Sequence, residues 1–170
     1  TKLHDLIDKI TRSKDWRVGT AGDDVVLGRQ FGMQPLHTDW FAYPLRSMKH
    51  GFALMASVAL SHVDKTNGAI RIVPWSVSDE CPSLEDESAW SKAHQARLAP
   101  GQILLRDVRV AHGGCPNFSD AARILPGMTF LSPKTIQNQQ AVPPSASWYP
   151  CLPADVAVKM ECSGEDVVLC

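Results

Sequence analysis

The sequence predicts a mainly β domain, a β-sandwich or jelly roll flanked by helices. Short apolar segments bounded by Gly, Pro, Asn or Asp recur along the chain, which is typical of strands. A helical repeat of apolar residues occurs near the N-terminus, before the first of these segments. The length of 170 residues allows one domain with a substantial core and is short for two.

The first element is an amphipathic helix, predicted over 2–14. Its apolar residues recur at the spacing of one helical face, and they are Leu3, Leu6, Ile7 and Ile10. Five short apolar segments predict strands over 25–31, 51–62, 69–74, 102–108 and 123–132. A stretch rich in Ser, Glu and Ala predicts a short inserted helix over 84–96.

Two turns are predicted between these strands. The segment Asp64-Lys-Thr-Asn-Gly68 lies between the second and third strands, and its Asn67-Gly68 pair is typical of a tight hairpin. Pro100-Gly101 predicts a type II turn, with glycine at the position that needs a positive φ.

The C-terminal segment differs in composition from the rest of the chain. It is polar and rich in proline from residue 137 onward, which predicts an irregular tail over 137–170 that packs on a domain over 1–136. Because the chain starts at Thr1 without a methionine, it is consistent with an excised or processed piece of a longer protein.

Charge and cysteine usage restrict the partners and the compartment. The formal net charge of −1 does not favour a nucleic acid or an anionic membrane as partner. The longest apolar stretch, 51–60, is far shorter than the roughly 20 residues of a membrane helix, and no signal-peptide pattern is present at the N-terminus. Five cysteines without metal-finger spacing suit reduced thiols, as in the cytoplasm or another reducing intracellular compartment. The oligomeric state stays open.

Two His-x-Asp pairs are candidate metal ligands, His37 with Asp39 and His62 with Asp64. Residues two apart in a strand point to the same side, so both members of a pair can reach one metal ion. Two histidines and a carboxylate hold divalent iron on one face and leave the other positions open. Aromatic residues surround the first pair, as in a pocket wall, whereas Asp64 belongs to the predicted turn. We therefore favour the first pair.

A third ligand is expected from a later strand, and His112 fits. The adjacent Gly113 and Gly114 leave room beside it for a ligand or a tight bend. Arg123 opens the apolar strand eleven residues later, where an inward guanidinium would need an anion such as the distal carboxylate of a dicarboxylate. Taken alone, the segment is also compatible with a turn histidine and a surface arginine.

Four segments, in this order, resemble the phytanoyl-CoA dioxygenase family of iron(II)- and 2-oxoglutarate-dependent oxygenases. They are His37-Thr-Asp39, the run from Thr66 to Ser76, the run from Leu98 to Asp107, and His112 with Asn117, Ser119 and Arg123. The similarity extends from about Gly32 to Phe130. One departure is Pro74-Trp75-Ser76-Val77, which stands where the family usually has Pro-Gly-Ser-His.

The resemblance implies a fold, a site and an activity. The fold would be a cupin-like jelly roll, the double-stranded β-helix. Iron(II) would be bound by His37, Asp39 and His112, and the 2-oxoglutarate carboxylate by Arg123. The activity would be a dioxygenase that hydroxylates a small organic or acyl substrate, consumes O2 and releases succinate and CO2.

Residues around this site are candidates for substrate contacts. Trp40, Tyr43 and Trp75 could form the substrate wall, or they could be ordinary core or rim aromatics. Arg46, Arg106 and Arg109 could meet an anionic substrate. Arg106 and Arg109 lie three apart, so at most one points inward from a strand, and we favour Arg109 because it is nearer to His112.

Further residues near His112 have structural interpretations. Cys115 is expected to fill apolar space. Asn117 and Ser119 are expected to shape the turn through bonds to the backbone.

Two other functions compete with the oxygenase hypothesis. One is a non-catalytic jelly-roll module that keeps the metal motif as a binding or accessory domain. The other is a cupin-like enzyme that uses its metal as a Lewis acid without 2-oxoglutarate, which leaves Arg123 unexplained.

Overall fold

The computed structural model describes residues 2–39, 53–74, 76, 91, 93–133, 135 and 167–169. One helix is followed by a series of strands. These elements are α1 (Lys2–Thr11), β1 (Arg17–Val26), β2 (Ala53–Val58), β3 (Ile70–Val73), β4 (His94–Gln95), β5 (Ile103–Asp107), β6 (Ala111–Gly114), β7 (Arg123–Leu131) and β8 (Val167–Leu169). The predicted mainly β fold with an N-terminal helix is confirmed.

The strands form two sheets. The larger has the order β1-β7-β2-β5-β8, in which all pairs are antiparallel except β5 with β8. The smaller has the order β4-β3-β6 and is antiparallel. Since β2 and β3 follow each other in the chain and lie in different sheets, the connection between them crosses from one layer to the other.

The main core lies between the two sheets. It combines Leu104 and Leu125 of the large sheet with Ile70 and Ile72 of the small one, all almost fully buried. Side chains alternate across a strand, so Arg106 shares the inner face of β5 with Leu104, and Arg123 shares the inner face of β7 with Leu125. Two arginines thus point into the interior between the sheets, where both are buried.

Helix α1 covers the outer face of the large sheet. Leu3 and Ile7 lie one turn apart and pack against alternate residues of three strands, which include Leu54, Ala56, Ile103, Leu105 and Phe130. The helix ends before Arg12, whose φ of 51° is left-handed. No helix among the described residues is long and apolar enough to cross a bilayer.

The two predicted turns have different outcomes. Pro100-Gly101 forms the expected turn, in which Gly101 has φ 86° and Gln102 N donates to Ala99 O at 3.1 Å. The prediction of a tight hairpin at Asn67-Gly68 is wrong, because the strands on either side lie in different sheets. Gly68 has φ 85°, and the turn is instead held by Asp64, whose Oδ1 accepts from Thr66 N at 2.7 Å.

Three segments differ from their predicted structure. The first strand covers 17–26 where the sequence predicts 25–31, because β1 lies at the sheet edge and shows no apolar alternation. His94–Gln95 form strand β4 against β3, so the predicted helix over 84–96 does not extend to its end. Residues 167–169, predicted as irregular tail, pair with β5 as β8.

Candidate metal centre

The segment 34–39 lies beside β6 and extends the small sheet. His37 N donates to His112 O, and His112 N donates to His37 O, both at 2.9 Å. Asp39 N continues the pairing by donating to Val108 O at 3.2 Å. Backbone hydrogen bonds therefore hold the two predicted ligand segments side by side.

This pairing turns the candidate ligand side chains toward the interior. His112 lies directly opposite Ile72, a core residue, so both side chains lie on the inner face. The ring of His37 lies 4.4 Å from that of His112, measured between centroids. One ligand atom from each of His37, Asp39 and His112 lies within 4.8 Å of the other two, and no other such cluster is found among the described residues.

Both imidazole rings are held in the orientation that a metal requires. His112 Nδ1 lies 2.9 Å from Val110 O, and His37 Nδ1 lies 3.0 Å from Pro35 O. A carbonyl can only accept, so Nδ1 carries a hydrogen in each ring, and Nε2 is the atom that faces Asp39 and is available to a metal ion. The two Nε2 atoms face Asp39 Oδ1, at 3.2 Å for His112 and 3.8 Å for His37.

Asp39 is held between this pair of histidines and an arginine. Its Oδ2 accepts from Arg106 Nη2 at 2.6 Å. Burial alone would raise the pKa of Asp39, but the hydrogen bond from His112 and the charge of Arg106 outweigh it and hold that pKa well below its usual range. The carboxylate is therefore ionised, as a metal ligand must be. Two imidazole nitrogens and one carboxylate fit a mononuclear iron(II) site.

The inward arginine is Arg106, contrary to the prediction that favours Arg109. Arg109 lies in the turn after β5, where its guanidinium makes two hydrogen bonds to the Asp107 carboxylate, from Nε at 2.9 Å and from Nη2 at 2.5 Å. As predicted, only one of these two arginines points inward. Closeness to His112 in the sequence is the wrong criterion for choosing between them. The burial of Leu104 is the better signal, because alternate residues of β5 share a face.

Arg123 is fully buried on the inner face of β7. Its Nε donates to Gly68 O at 2.9 Å, and its Nη1 donates to Asp24 O at 2.8 Å and lies 3.0 Å from Asp24 Oδ2. Nη2 is buried without a hydrogen-bond partner. The guanidinium thus has an anion beside it, as the sequence requires, and keeps one donor for a further acceptor.

The space beside Gly113 is filled by the backbone of Gln34 and Pro35, and not by a ligand or a tight bend as the sequence predicts. A Cβ atom at this position would lie 2.8 Å from Gln34 O and 3.0 Å from Pro35 O. Gln34 adds a second link, because its Oε1 accepts from Gly114 N at 2.9 Å. The buried Arg71 donates to Gln34 O and to Met33 Sδ. Sequence reasoning missed Gln34 and Arg71, which secure the segment that carries His37.

The turn between His112 and Arg123 is built as predicted. Asn117 is fully buried and its Nδ2 donates to Val26 O at 3.2 Å and to Ala121 O at 2.8 Å. Ser119 donates to Asn117 Oδ1 from both its backbone nitrogen and its hydroxyl. Cys115 is buried as a free thiol, and Gln95 Nε2 lies 3.4 Å from its sulfur.

The remaining candidates are four side chains outside the described part of the chain and the second His-x-Asp pair. Trp40, Tyr43, Arg46 and Trp75 lie outside the described residues. The second His-x-Asp pair is not a metal site in this arrangement, because Asp64 accepts hydrogen bonds from Thr66 within its own turn.

A jelly roll that brings two histidines and one carboxylate to one point defines the class of mononuclear non-haem metal proteins. Sequence comparison narrows this class. The chain belongs to the phytanoyl-CoA dioxygenase (PhyH) family, whose pattern matches residues 23–125. Enzymes of this family use iron(II) and 2-oxoglutarate, so the predicted cofactors are confirmed for the family. Among curated proteins, the sequence has no significant match.

Solved structures share the fold at low sequence identity. The chain is similar to the non-heme monooxygenase ThoJ in its nickel complex, with 20% identity, a TM-score of 0.62, and coverage of 78% of this chain and 50% of that one. It is also similar to EctD from S. alaskensis with 2-oxoglutarate and 5-hydroxyectoine, with 17% identity, a TM-score of 0.64, and coverage of 79% of this chain and 50% of that one. A third similar structure is EvdO2 from Micromonospora carbonacea var. aurantiaca with 2-oxoglutarate, with 16% identity, a TM-score of 0.59, and coverage of 77% of this chain and 58% of that one. The chain therefore spans 50–58% of the length of these three proteins.

Proposed function

We propose that this chain carries the catalytic core of an iron(II)- and 2-oxoglutarate-dependent dioxygenase that hydroxylates a small organic or acyl substrate and releases succinate and CO2. The observation that supports this most is the group of His37, Asp39 and His112, whose ligand atoms lie within 4.8 Å of one another. Membership of the PhyH family supports the same reaction class.

The chain's own residues would divide the work. His37 and His112 would each bind iron through Nε2, because Nδ1 is engaged by a carbonyl in both rings. Asp39 would bind through Oδ1, since Arg106 occupies Oδ2. Three ligands on one face leave the opposite face for 2-oxoglutarate and O2. Iron bound there would supply the activation of O2 that is coupled to oxidative decarboxylation of 2-oxoglutarate.

Arg123 would bind the distal carboxylate of 2-oxoglutarate. Its support is a buried Nη2 that has no partner, since an unsatisfied buried donor is destabilising until an acceptor arrives. A charge-assisted hydrogen bond to a carboxylate would satisfy it. Arg109 stays a proposed substrate contact, with its charge already balanced by Asp107.

Anaerobic titration of the apo-protein with iron(II) and 2-oxoglutarate tests this function. The chelate of iron and 2-oxoglutarate gives a weak visible charge-transfer band. We expect the band in the wild type, its loss in His112→Ala, and a weaker affinity for 2-oxoglutarate in Arg123→Met. His62→Ala is the matched control, because His62 belongs to the other His-x-Asp pair and is exposed. It should leave the band unchanged.

A folded wild type without the band would contradict the dioxygenase. One observation favours the accessory-module alternative, namely the ion pair between Arg123 and Asp24, which balances the guanidinium charge without 2-oxoglutarate. A module of that kind would bind iron(II) and show no response to 2-oxoglutarate. The same titration therefore separates the two functions.

A further inference from the structure

Arg106 is the buried cation of the metal centre. It lies on the inner face of β5 with only 6% of its side chain exposed. One of its three nitrogens, Nη2, donates to Asp39 Oδ2 at 2.6 Å. Nε and Nη1 are buried and have no hydrogen-bond partner in the described part of the chain. This guanidinium therefore makes a single strong bond, and that bond goes to a predicted metal ligand.

Such an arrangement does not favour the folded state. A buried donor without a partner loses its hydrogen bonds to water and gains none within the protein. The same face of β5 carries Leu104 in the main core, so an apolar side chain of similar length would suit this position better. A role in folding alone does not explain an arginine here.

The bond to Asp39 has a direct geometric consequence. Asp39 has 31% of its side chain exposed, and the terminal torsion of an aspartate is broad. With Arg106 on Oδ2, the other oxygen points at the histidines, with Oδ1 3.2 Å from His112 Nε2. Without Arg106, the carboxylate is free to turn and to present either oxygen or both.

We propose that Arg106 is a positioning residue that holds the Asp39 carboxylate with Oδ1 toward the metal, and that it serves metal affinity and not folding. The inference rests on the proposed metal centre. Removing a partner that orients a metal ligand typically costs about 10- to 100-fold in metal affinity. We expect a loss of this size for Arg106→Met, which keeps the length of the side chain and removes its charge and donors.

The experiment titrates the full chain with Co(II) alone, followed by visible absorption and calorimetry, and measures thermal unfolding of each metal-free protein. Arg106→Met and Arg106→Gln should bind Co(II) about 10- to 100-fold more weakly, and their metal-free unfolding temperatures should equal or exceed that of the wild type. Arg106→Lys should bind with intermediate affinity. Arg109→Met is the matched control, because Arg109 lies three residues from Arg106 and pairs with Asp107, which is not one of the proposed metal ligands. It should bind Co(II) like the wild type.

Each other outcome overturns the inference in a recognisable way. Wild-type affinity in Arg106→Met and Arg106→Gln would show that Asp39 needs no such support, and the metal centre itself would stand. Weaker binding that comes with lower metal-free unfolding temperatures in both variants would make Arg106 a structural residue. A wild type that binds no Co(II) would remove the proposed metal centre, and this inference with it.

Discussion

Replacing Gly113 with alanine should disturb the proposed metal centre from the side opposite to its proposed ligands. The new Cβ atom would lie 2.8 Å from Gln34 O and 3.0 Å from Pro35 O. Both oxygens belong to the backbone, so they cannot rotate away as a flexible side chain would. Pro35 O also accepts from His37 Nδ1 at 3.0 Å, so a shift of this segment moves the ring of a proposed metal ligand.

The size of the effect follows from that steric conflict. Inserting a methyl group into a packed region typically costs about 1–3 kcal/mol. We expect the free energy of unfolding of the metal-free protein to fall by about this amount. Because His37 loses its orientation, the affinity for Co(II) should also fall by about tenfold or more.

Gly114→Ala is a close control for Gly113→Ala. Neither glycine has a positive φ, so alanine suits the backbone of both positions. At Gly114 the nearest contact of the new Cβ would be 3.4 Å, to Oε1 of the flexible Gln34 side chain. The change in stability should therefore stay within about 0.5 kcal/mol.

Urea unfolding and Co(II) titration of the two variants provide the measurement. If Gly113→Ala unfolds and binds metal like Gly114→Ala, residues 34–37 do not lie against β6 as described. The explanation for the position of His37 would then be refuted. If only stability falls and metal affinity is unchanged, the hydrogen bond between Pro35 O and the ring of His37 does not contribute to metal affinity.

Two further predictions concern the co-substrate and the core. Asp24→Asn removes the carboxylate that competes with 2-oxoglutarate for Arg123. Because the pair is partly exposed, 2-oxoglutarate should bind about two- to fivefold more tightly in the charge-transfer titration. An unchanged or weaker affinity would contradict the competition. Ile7→Ala empties a fully buried site between α1 and the large sheet and should lower the free energy of unfolding in urea by about 2–4 kcal/mol. Ile10→Ala, at a residue 44% exposed, should change it by less than about 0.5 kcal/mol, and equal effects would contradict this packing.

The parts of the fold that could be predicted are those that bury apolar side chains. Strands β2, β3, β5 and β7 coincide with apolar runs, and α1 follows the spacing of Leu3 and Ile7. Strand β1 carries no such run because it lies at a sheet edge, and its conformation comes from pairing with β7. Strand β6, with the sequence Ala-His-Gly-Gly, also depends on its neighbours. Local patterns contain no information on such pairing.

The candidate site shows the same division. His-x-Asp spacing and the later His112 could be found in the sequence, because the chemistry of iron needs those residue types. The ion pairs of Asp39 with Arg106 and of Asp24 with Arg123 join residues far apart in the chain. Their formation depends on which strands become neighbours, and the order β1-β7-β2-β5 cannot be read from motif spacing.

The bridge between His37 and His112 also couples metal binding to folding. These two residues are distant in sequence, and hydrogen bonds hold them side by side between segment 34–39 and β6. A metal ion that binds both in the folded state and leaves on unfolding would stabilise the folded state, by about 2.7 kcal/mol at a free ion concentration 100 times its dissociation constant. The ion would therefore stabilise the pairing of the early and late parts of the jelly roll in a concentration-dependent way, in addition to its part in the chemistry.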